Sequence, residues 1–462
     1  MEKSEDQISH SKREIASYGF GSFSREFMRI AFSASAFYFF EKEINLNVWL
    51  VSLAFVLFAI YNMFNDPLIG YLTNRPFNFT KKLGRRFPWI LIGGLPWGLS
   101  YMLIFVPPTT NAANDAWLLF FWLLFTTCLF DTFHSIFFVN FIALFPHKFK
   151  TMKERRLTSG IQIMIGVVGT ALGAIVPPLV FEYGNIPSFF WQGLVSLMIV
   201  TIGFILAIPG VKESPELIEE FFEKYDRDAE KPSFFQSMKI AINQRSFIVF
   251  MAIYTLYQSL VETMQSSIPY IIRYSLGMPS NAQTLVFAGF LIGVLISTPL
   301  WTKLSHRLND NRKVMTIAAI MLGLFTLPLM FLRNYLGIII NMIFWGIPLG
   351  GFWVMVGPVS ADVIDNSVVL TKKREEGVYT GFQMFFGRLG IVAQALTFAI
   401  VHSLTGFDTN PYSDLAIIGI HLHTSIIPAI FVFIGATIFW KYYDLKPKKV
   451  EENRSVLQSL KL

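Results

Sequence analysis

Apolar residues in this chain gather into long continuous runs rather than the narrow stripe of a surface helix. They fall at 18–40, 47–72, 88–108, 115–146, 158–181 and 187–210, and again at 247–272, 283–301, 314–332, 335–364, 376–403 and 417–441. A helix of about 20 apolar residues crosses the hydrocarbon core of a bilayer, and all twelve runs are of that order. Backbone polar groups in lipid must be satisfied within the segment, which runs of this length achieve as helices. The pattern predicts an all-α membrane protein with twelve transmembrane helices. The longest polar interruption, 211–246, has six runs on either side. The predicted organisation is a terminal segment 1–15, a six-helix bundle 16–210, a linker 211–246, a second six-helix bundle 247–444 and a tail 445–462. In the linker, Ser214-Pro215 precedes Leu217, Phe221 and Phe222 at helical spacing, which reads as an amphipathic helix on the membrane surface. The Lys-rich tail from Lys446 is expected to be solvated or to lie on an anionic leaflet.

Composition narrows the class. The chain has 462 residues, 53% hydrophobic and 15% charged, with a mean hydropathy of +0.50, which excludes a soluble domain of this length. Cys128 is the single cysteine, so a disulfide framework and a thiolate metal site are both excluded. Met1 to Ala16 is polar and lacks the apolar stretch of a cleavable signal, so the first run is expected to direct insertion. The net charge of +7 does not point to nucleic acid, because the basic residues crowd alternate short loops. Arg75, Lys81, Lys82, Arg85 and Arg86 follow the second run, and Lys148, Lys150, Lys153, Arg155 and Arg156 follow the fourth. Lys303, Arg307, Arg312 and Lys313 follow the eighth, and Lys372, Lys373 and Arg374 the tenth. The opposite loops hold Lys42, Arg273 and Arg333. This asymmetry predicts a multi-pass protein of the cell membrane with both termini in the cytoplasm. No phosphate-cradling Gly-rich loop, metal-spaced histidine pair or nucleophile elbow occurs, so neither an enzyme nor an ATP-driven pump is expected.

The charges inside the runs carry the candidate chemistry. Asp66 lies deep in the second run, with Asn62 one turn before it and Asn65 beside it. A charge in the bilayer core is expensive, so such a residue marks a functional site by default. Oxygen ligands around one carboxylate suit a sodium ion, and the carboxyl alone suits a proton; the bland alternative is that Asn-Asp-Pro only shapes a kink at Pro67. The first run carries Arg25, Glu26 and Arg29 on adjoining faces, which suits hydrogen bonding to hydroxyls or a structural charge cluster. The fourth run carries Asp131, His134 and Ser135, and the seventh carries Glu262 between Gln258 and Gln265-Ser266. Asp131 and Glu262 are candidate substrate ligands, each with a structural alternative.

The string from Tyr61 to Gly94, with its Asn-Asp-Pro-x-x-Gly core and its basic-x-Pro-Trp-Ile-Leu-Ile-Gly restart at Arg86, closely resembles the glycoside–pentoside–hexuronide:cation symporters. These form the melibiose-carrier branch of the major facilitator superfamily. The opening Tyr18-Gly-x-Gly and the segment from Ala361 to Gly381 resemble it too. The resemblance implies two six-helix halves that alternate access to a site near the midplane. It implies symport of a small-molecule solute, a sugar or glycoside, with a cation, H⁺ or Na⁺, and no other cofactor or metal. It further implies a cation site at Asn62, Asn65 and Asp66, where the family has a second carboxylate at the position of Asn62. Substrate contacts are implied at Arg25, Glu26, Arg29, Gln383 and Arg388, and a gate of ion pairs among Arg155, Asp362, Asp365, Arg374 and Glu376. Three of the family's sugar contacts fall on Phe138, Ile142 and Gln162 or Ile163, where the expected chemistry is missing. The architecture also resembles animal lysophospholipid carriers, so a lipid-like solute is the alternative. Membrane lipid and the solute are the expected partners, and the protein is expected to work as a monomer.

Overall fold

The computed structural model describes residues 10–73, 75, 77–219, 242–371 and 376–460, and every regular element among them is helical. The chain divides into two compact units, Met1–Lys231 and Pro232–Leu462. In the first are α1 (Lys12–Tyr38), α2 (Val48–Thr73), the short α3 (Asn78–Leu83), α4 (Phe87–Ile104), α5 (Ala112–Lys148), α6 (Met152–Val180) and α7 (Ile186–Val211). In the second are α8 (Arg245–Tyr270), α9 (Gln283–Leu308), α10 (Asn311–Thr326) and α11 (Tyr335–Thr371). The eleventh predicted span is split into α12 (Glu376–Gly387) and α13 (Leu389–Thr405). The twelfth is split into α14 (Asp414–His421) and α15 (Ile427–Tyr442), and α16 (Pro447–Leu460) ends the chain. Eleven helical stretches among the described residues are long and apolar enough to cross a membrane. The remaining predicted span, the first, is α1, 27 residues long, with Arg25, Glu26 and Arg29 along its middle.

The two units repeat one plan. In the first, α1 packs on α6 and α7, α5 packs on α2 and α4, and α4 packs on α7. In the second, α8 packs on α13 and α15, α11 packs on α9 and α10, and α10 packs on α15, so every pairing recurs six spans later. The corners repeat as well. After α1 a π-helical turn, Phe39–Glu43, closes with Ile44 N–H on Phe39 O at 3.0 Å and Leu46 N–H on Phe40 O at 2.9 Å. After α8 the π-helical turn Ile271–Ser275 closes with Leu276 N–H on Ile271 O and Met278 N–H on Ile272 O, both at 2.9 Å. The residue between the two closing donors is left-handed in each, Asn45 at φ 57° and Gly277 at φ 63°. Asn and Gly tolerate that conformation best.

Close helix packing is made with glycine. A Cβ on Gly169 or Gly173 of α6 would lie 2.3 or 2.4 Å from Phe23 O or Phe27 O of α1, so only glycine lets α6 seat against the charged helix. Gly293 of α9 and Gly346 of α11 stand in the same relation to Ile343 O and Phe290 O, at 2.0 and 2.1 Å.

Several boundaries differ from those read in the sequence. Helix α1 begins at Lys12, well before its apolar run, because Ser11 and Glu14 form a reciprocal capping box. Arg86, expected as a loop charge, is buried at the start of α4, with Nη1 donating to Asn140 Oδ1 at 2.8 Å. Burial pushes its guanidinium down to about 9, neighbouring Arg85 adds to this, and Glu213 opposes it. The tail is not free: α16 docks on α11, where buried Asn453 donates to Asn366 Oδ1 at 3.1 Å. Of the linker, 220–241, with Phe221 and Phe222, lies outside the described residues; 215–219 is helical.

Candidate functional site

The polar centre of the first unit is built where α2 crosses α5. Their 3.6-residue periods bring Asn62, Asn65 and Asp66 of one against Asp131 and Ser135 of the other. Asn62 Nδ2 donates to Asp131 Oδ1 at 2.5 Å, and Asn65 Nδ2 donates to Asp131 Oδ2 at 3.0 Å. Asn65 Nδ2 also reaches Ser135 Oγ at 3.0 Å, and Ser135 Oγ–H donates to Asp66 Oδ1 at 2.5 Å. Asn62, Asn65, Asp131 and Ser135 are buried and Asp66 is half-buried. These three donors, two amides and a hydroxyl, are neutral. Asn62 Oδ1 is buried without a hydrogen-bond partner among the described residues. A buried polar atom left this way costs about 1–3 kcal/mol, which a ligand can offset. Two carboxylates, an amide oxygen and a hydroxyl form an oxygen donor set for a small hard cation.

Asp131, expected as a substrate ligand, hydrogen-bonds Asn62 and Asn65, two of the residues expected at a cation site. A carboxylate of α5 thus faces position 62, across 69 residues of sequence. The i, i+4 pair Asp131/Ser135 was visible in the sequence, but which helix it faced was not.

A second cluster lies on α1. Arg25 pairs with Glu26 Oε1, and Arg29 Nε donates to Glu26 Oε2 at 3.2 Å. The Arg25 guanidinium sits 4.0 Å from the centre of the Phe138 ring, a contact attractive by about 0.5–2 kcal/mol. Gln162 Nε2 donates to Ser22 Oγ at 2.7 Å. The positions of the missing sugar contacts are therefore put to other uses: Phe138 is a platform for Arg25, and Gln162 ties α6 to α1. Ile142 and Ile163 are exposed.

In the second unit, Glu262 is half-buried on α8, and Gln258 packs on Gly390 of α13. Gln265, at 2% exposure, has neither amide atom bonded among the described residues. Arg388 occupies the break between α12 and α13, with its N–H on Met384 O at 3.2 Å, and Gln383 Oε1 accepts a long 3.4 Å bond from Ser360.

The expected gate residues show local partners. Arg155 donates from Nε to Phe149 O at 2.7 Å and from Nη2 to Pro146 O at 2.9 Å, capping α5. Asp362 Oδ2 accepts from Asn311 at 2.7 Å, and Arg454 of α16 is 4.0 Å from its Oδ1. Asp365 lies one turn further on α11, half-buried. Arg374 and the Glu376 side chain lie outside the described residues.

The sequence pattern of an "MFS/sugar transport protein" family matches residues 17–446. The chain is 22% identical over 445 residues to the sodium-dependent lysophosphatidylcholine symporter 1-A of Danio rerio, covering 86% of this chain and 78% of that one. It is 20% identical to the sodium-dependent lysophosphatidylcholine symporter 1 of Mus musculus, covering 87% and 79%. It is 22% identical to the raffinose carrier protein of Pediococcus pentosaceus, covering 88% and 64%.

Proposed function

The chain belongs to the MFS/sugar transport protein family, which makes it a membrane transporter rather than an enzyme, and on that premise we propose that it is a cation-coupled symporter whose solute is an amphiphile with a phosphate-bearing headgroup, of the lysophospholipid kind. The observation that carries the coupling is the cage of Asn62, Asn65, Asp66, Asp131 and Ser135. A buried and a half-buried carboxylate with an unbonded amide oxygen suit a cation that enters and leaves. In this reading Asp131 restores the charge that Asn62 lacks, and sodium is as well served as a proton. Occupation of the cage and of the solute site together would drive alternating access, with the basic loops and both termini facing the cytoplasm of the cell membrane.

The headgroup reading rests on α1. Arg25, Glu26 and Arg29 sum to one positive charge, and Phe138 replaces the acid that a neutral glycoside needs there. Guanidinium groups bind phosphate or carboxylate in paired fashion. The lysophosphatidylcholine symporters among the relatives support the same class. The raffinose carrier relative supports a second reading, a glycoside.

Thermal melting of the purified protein against lysophospholipids, glycosides, pentosides and uronic acids, each in sodium and in choline chloride, separates the readings. A ligand at about 100 times its Kd stabilises by about 2.7 kcal/mol. Stabilisation by lysophospholipid that strengthens in sodium is the expected result. Stabilisation by a neutral glycoside with no lipid response overturns the headgroup assignment, and no sodium effect with any solute overturns sodium coupling.

A further inference from the structure

We propose that Gln265 of α8 and Gln394 of α13 form a subsite in the second unit for an uncharged hydroxyl group of the transported solute. The inference rests on the lysophospholipid reading above, in which that group is the free hydroxyl of the glycerol backbone.

The packing of α8 on α13 places the two amides. A Cβ on Gly390 of α13 would lie 2.8 Å from the Gln258 carbonyl carbon, and one on Gly387, at the end of α12, 3.1 Å from a ring carbon of Tyr254. Further along, the Tyr270 ring centre is 5.3 Å from that of Phe398 and 5.2 Å from that of His402. The two helices therefore run side by side from Gln258 and Gly390 to Tyr270 and His402. Gln265 follows Gln258 by two turns, and Gln394 follows Gly390 by one, so each falls on the face turned to the other helix. Both are almost fully buried, at 2% and 3% exposure.

Neither amide is satisfied. Gln265 Nε2 and Oε1 and Gln394 Nε2 have no hydrogen-bond partner among the described residues. Hydroxyls on the same helices are spent one turn back: Ser259 Oγ donates to Thr255 O at 2.9 Å, Ser267 Oγ to Thr263 O at 2.6 Å and Thr397 Oγ1 to Ala393 O at 2.7 Å. Glu262, three residues before Gln265, is half-buried and has a partner of its own. Buried polar groups are nearly always bonded, so two unmet amides on facing helices call for a ligand. The unmet atoms name its chemistry: N–H donors and one carbonyl acceptor, with no charge. A phosphate or carboxylate only accepts, which would leave Gln265 Oε1 unmet. An ammonium only donates, which would leave both Nε2 groups unmet. A hydroxyl does both, donating to Gln265 Oε1 and accepting from Gln394 Nε2.

The experiment compares two lipids by thermal melting of the full-length protein in sodium chloride. One is palmitoyl lysophosphatidylcholine; the other is its deoxy analogue, identical except that hydrogen replaces the glycerol hydroxyl. Both are titrated in the same detergent at the same mole fractions, so partitioning into micelles cancels in the ratio of affinities. The unaltered protein should bind the hydroxylated lipid about tenfold tighter or more, since the analogue leaves buried polar groups unmet. Gln265→Met and Gln394→Met keep the length of the side chain and remove its polar atoms. Each should bring the ratio towards one and leave the sodium response as it was. Where one of the two fails to fold, the other decides. Equal affinity of the unaltered protein for the two lipids overturns the subsite and leaves the lysophospholipid reading standing. A preference that persists in the variants also overturns it, because the hydroxyl is then read elsewhere. Binding of neither lipid overturns the solute reading and this inference with it.

Discussion

Helices α2 and α9 occupy equivalent places in the two units, yet their contacts differ in kind. An offset of 232 residues carries the left-handed corner Asn45 onto Gly277 and the helix-interior Pro67 onto Pro299. The same offset pairs Asn62, Asn65 and Asp66 with Val294, Ser297 and Thr298. Where α2 meets α5 through carboxylates and amides, α9 meets α11 through glycine and backbone: Gly293 on Ile343 O, Gly346 on Phe290 O, and Ser297 Oγ on Ile347 O at 3.1 Å. The fold makes this crossing without a charge in one unit, so the charges in the other are not required by the architecture. A carboxylate that the fold does not need, in a helix that sits in lipid, is a functional-site candidate.

The largest effect should come from breaking the apolar side of the comparison. Gly346→Val would force a Cβ to about 2.1 Å from Phe290 O, a main-chain atom that cannot swing away. Overpacking of a core costs about 1–3 kcal/mol and more where backbone must move. Loss of folded protein in detergent, or a melting temperature lowered by many degrees whatever the cation, is expected; normal folding would show that α9 and α11 are not seated on these glycines.

A selective loss should follow from writing the second unit's residue into the first. Asp66→Thr removes a charge but keeps a hydroxyl for Ser135, so melting without sodium should shift by only about 1 kcal/mol. The sodium-dependent stabilisation should vanish. If it persists, the cage is not the cation site. The double variant Asn62→Asp/Asp131→Asn sharpens the test by moving one carboxylate from α5 back to α2. Asp131→Asn alone should lose most of the sodium response, and the double variant should recover it, because the two positions are hydrogen-bonded neighbours and couple.

The fold was largely legible because lipid leaves the backbone few choices, and the twelve apolar runs map onto α1, α2, α4 to α11, the α12–α13 pair and the α14–α15 pair. What escaped were features that depend on single polar atoms. Ser11 and Glu14 start α1 early, the Arg388 position interrupts the eleventh span, and Asn453 anchors the tail through Asn366. In the site, Asp66 with Asn62 stood out, since a charge in an apolar run is conspicuous. The partnership with Asp131 did not, because a sequence separation of 69 residues says nothing about which helices cross. The same blindness hid a network in the second unit. Ser267 Oγ lies 2.7 Å from His423 Nδ1, and His423 Nε2 lies 3.2 Å from His402 Nε2, all three residues buried. No pattern in the apolar runs marks those histidines as neighbours.

The smallest expected effect is the most discriminating. Ser297 is the counterpart of Asn65, and both are buried, but Ser297 donates only to main-chain carbonyls, at 3.2 Å to Val294 O and 3.1 Å to Ile347 O. Ser297→Ala removes that hydroxyl and leaves carbonyls that keep their helical bonds, so it should cost about 0.5–1.5 kcal/mol. It should leave the sodium response as it was. Asn65→Ala removes more, including a bond to the Asp131 carboxylate, and its bonds orient Asp131 and Ser135. Its stability loss should be larger in the absence of cation, with a clear fall in apparent sodium affinity added to it. Equal effects of the two variants on sodium binding would mean that the polar crossing is only another way of packing two helices, and the difference between the units would then say nothing about transport.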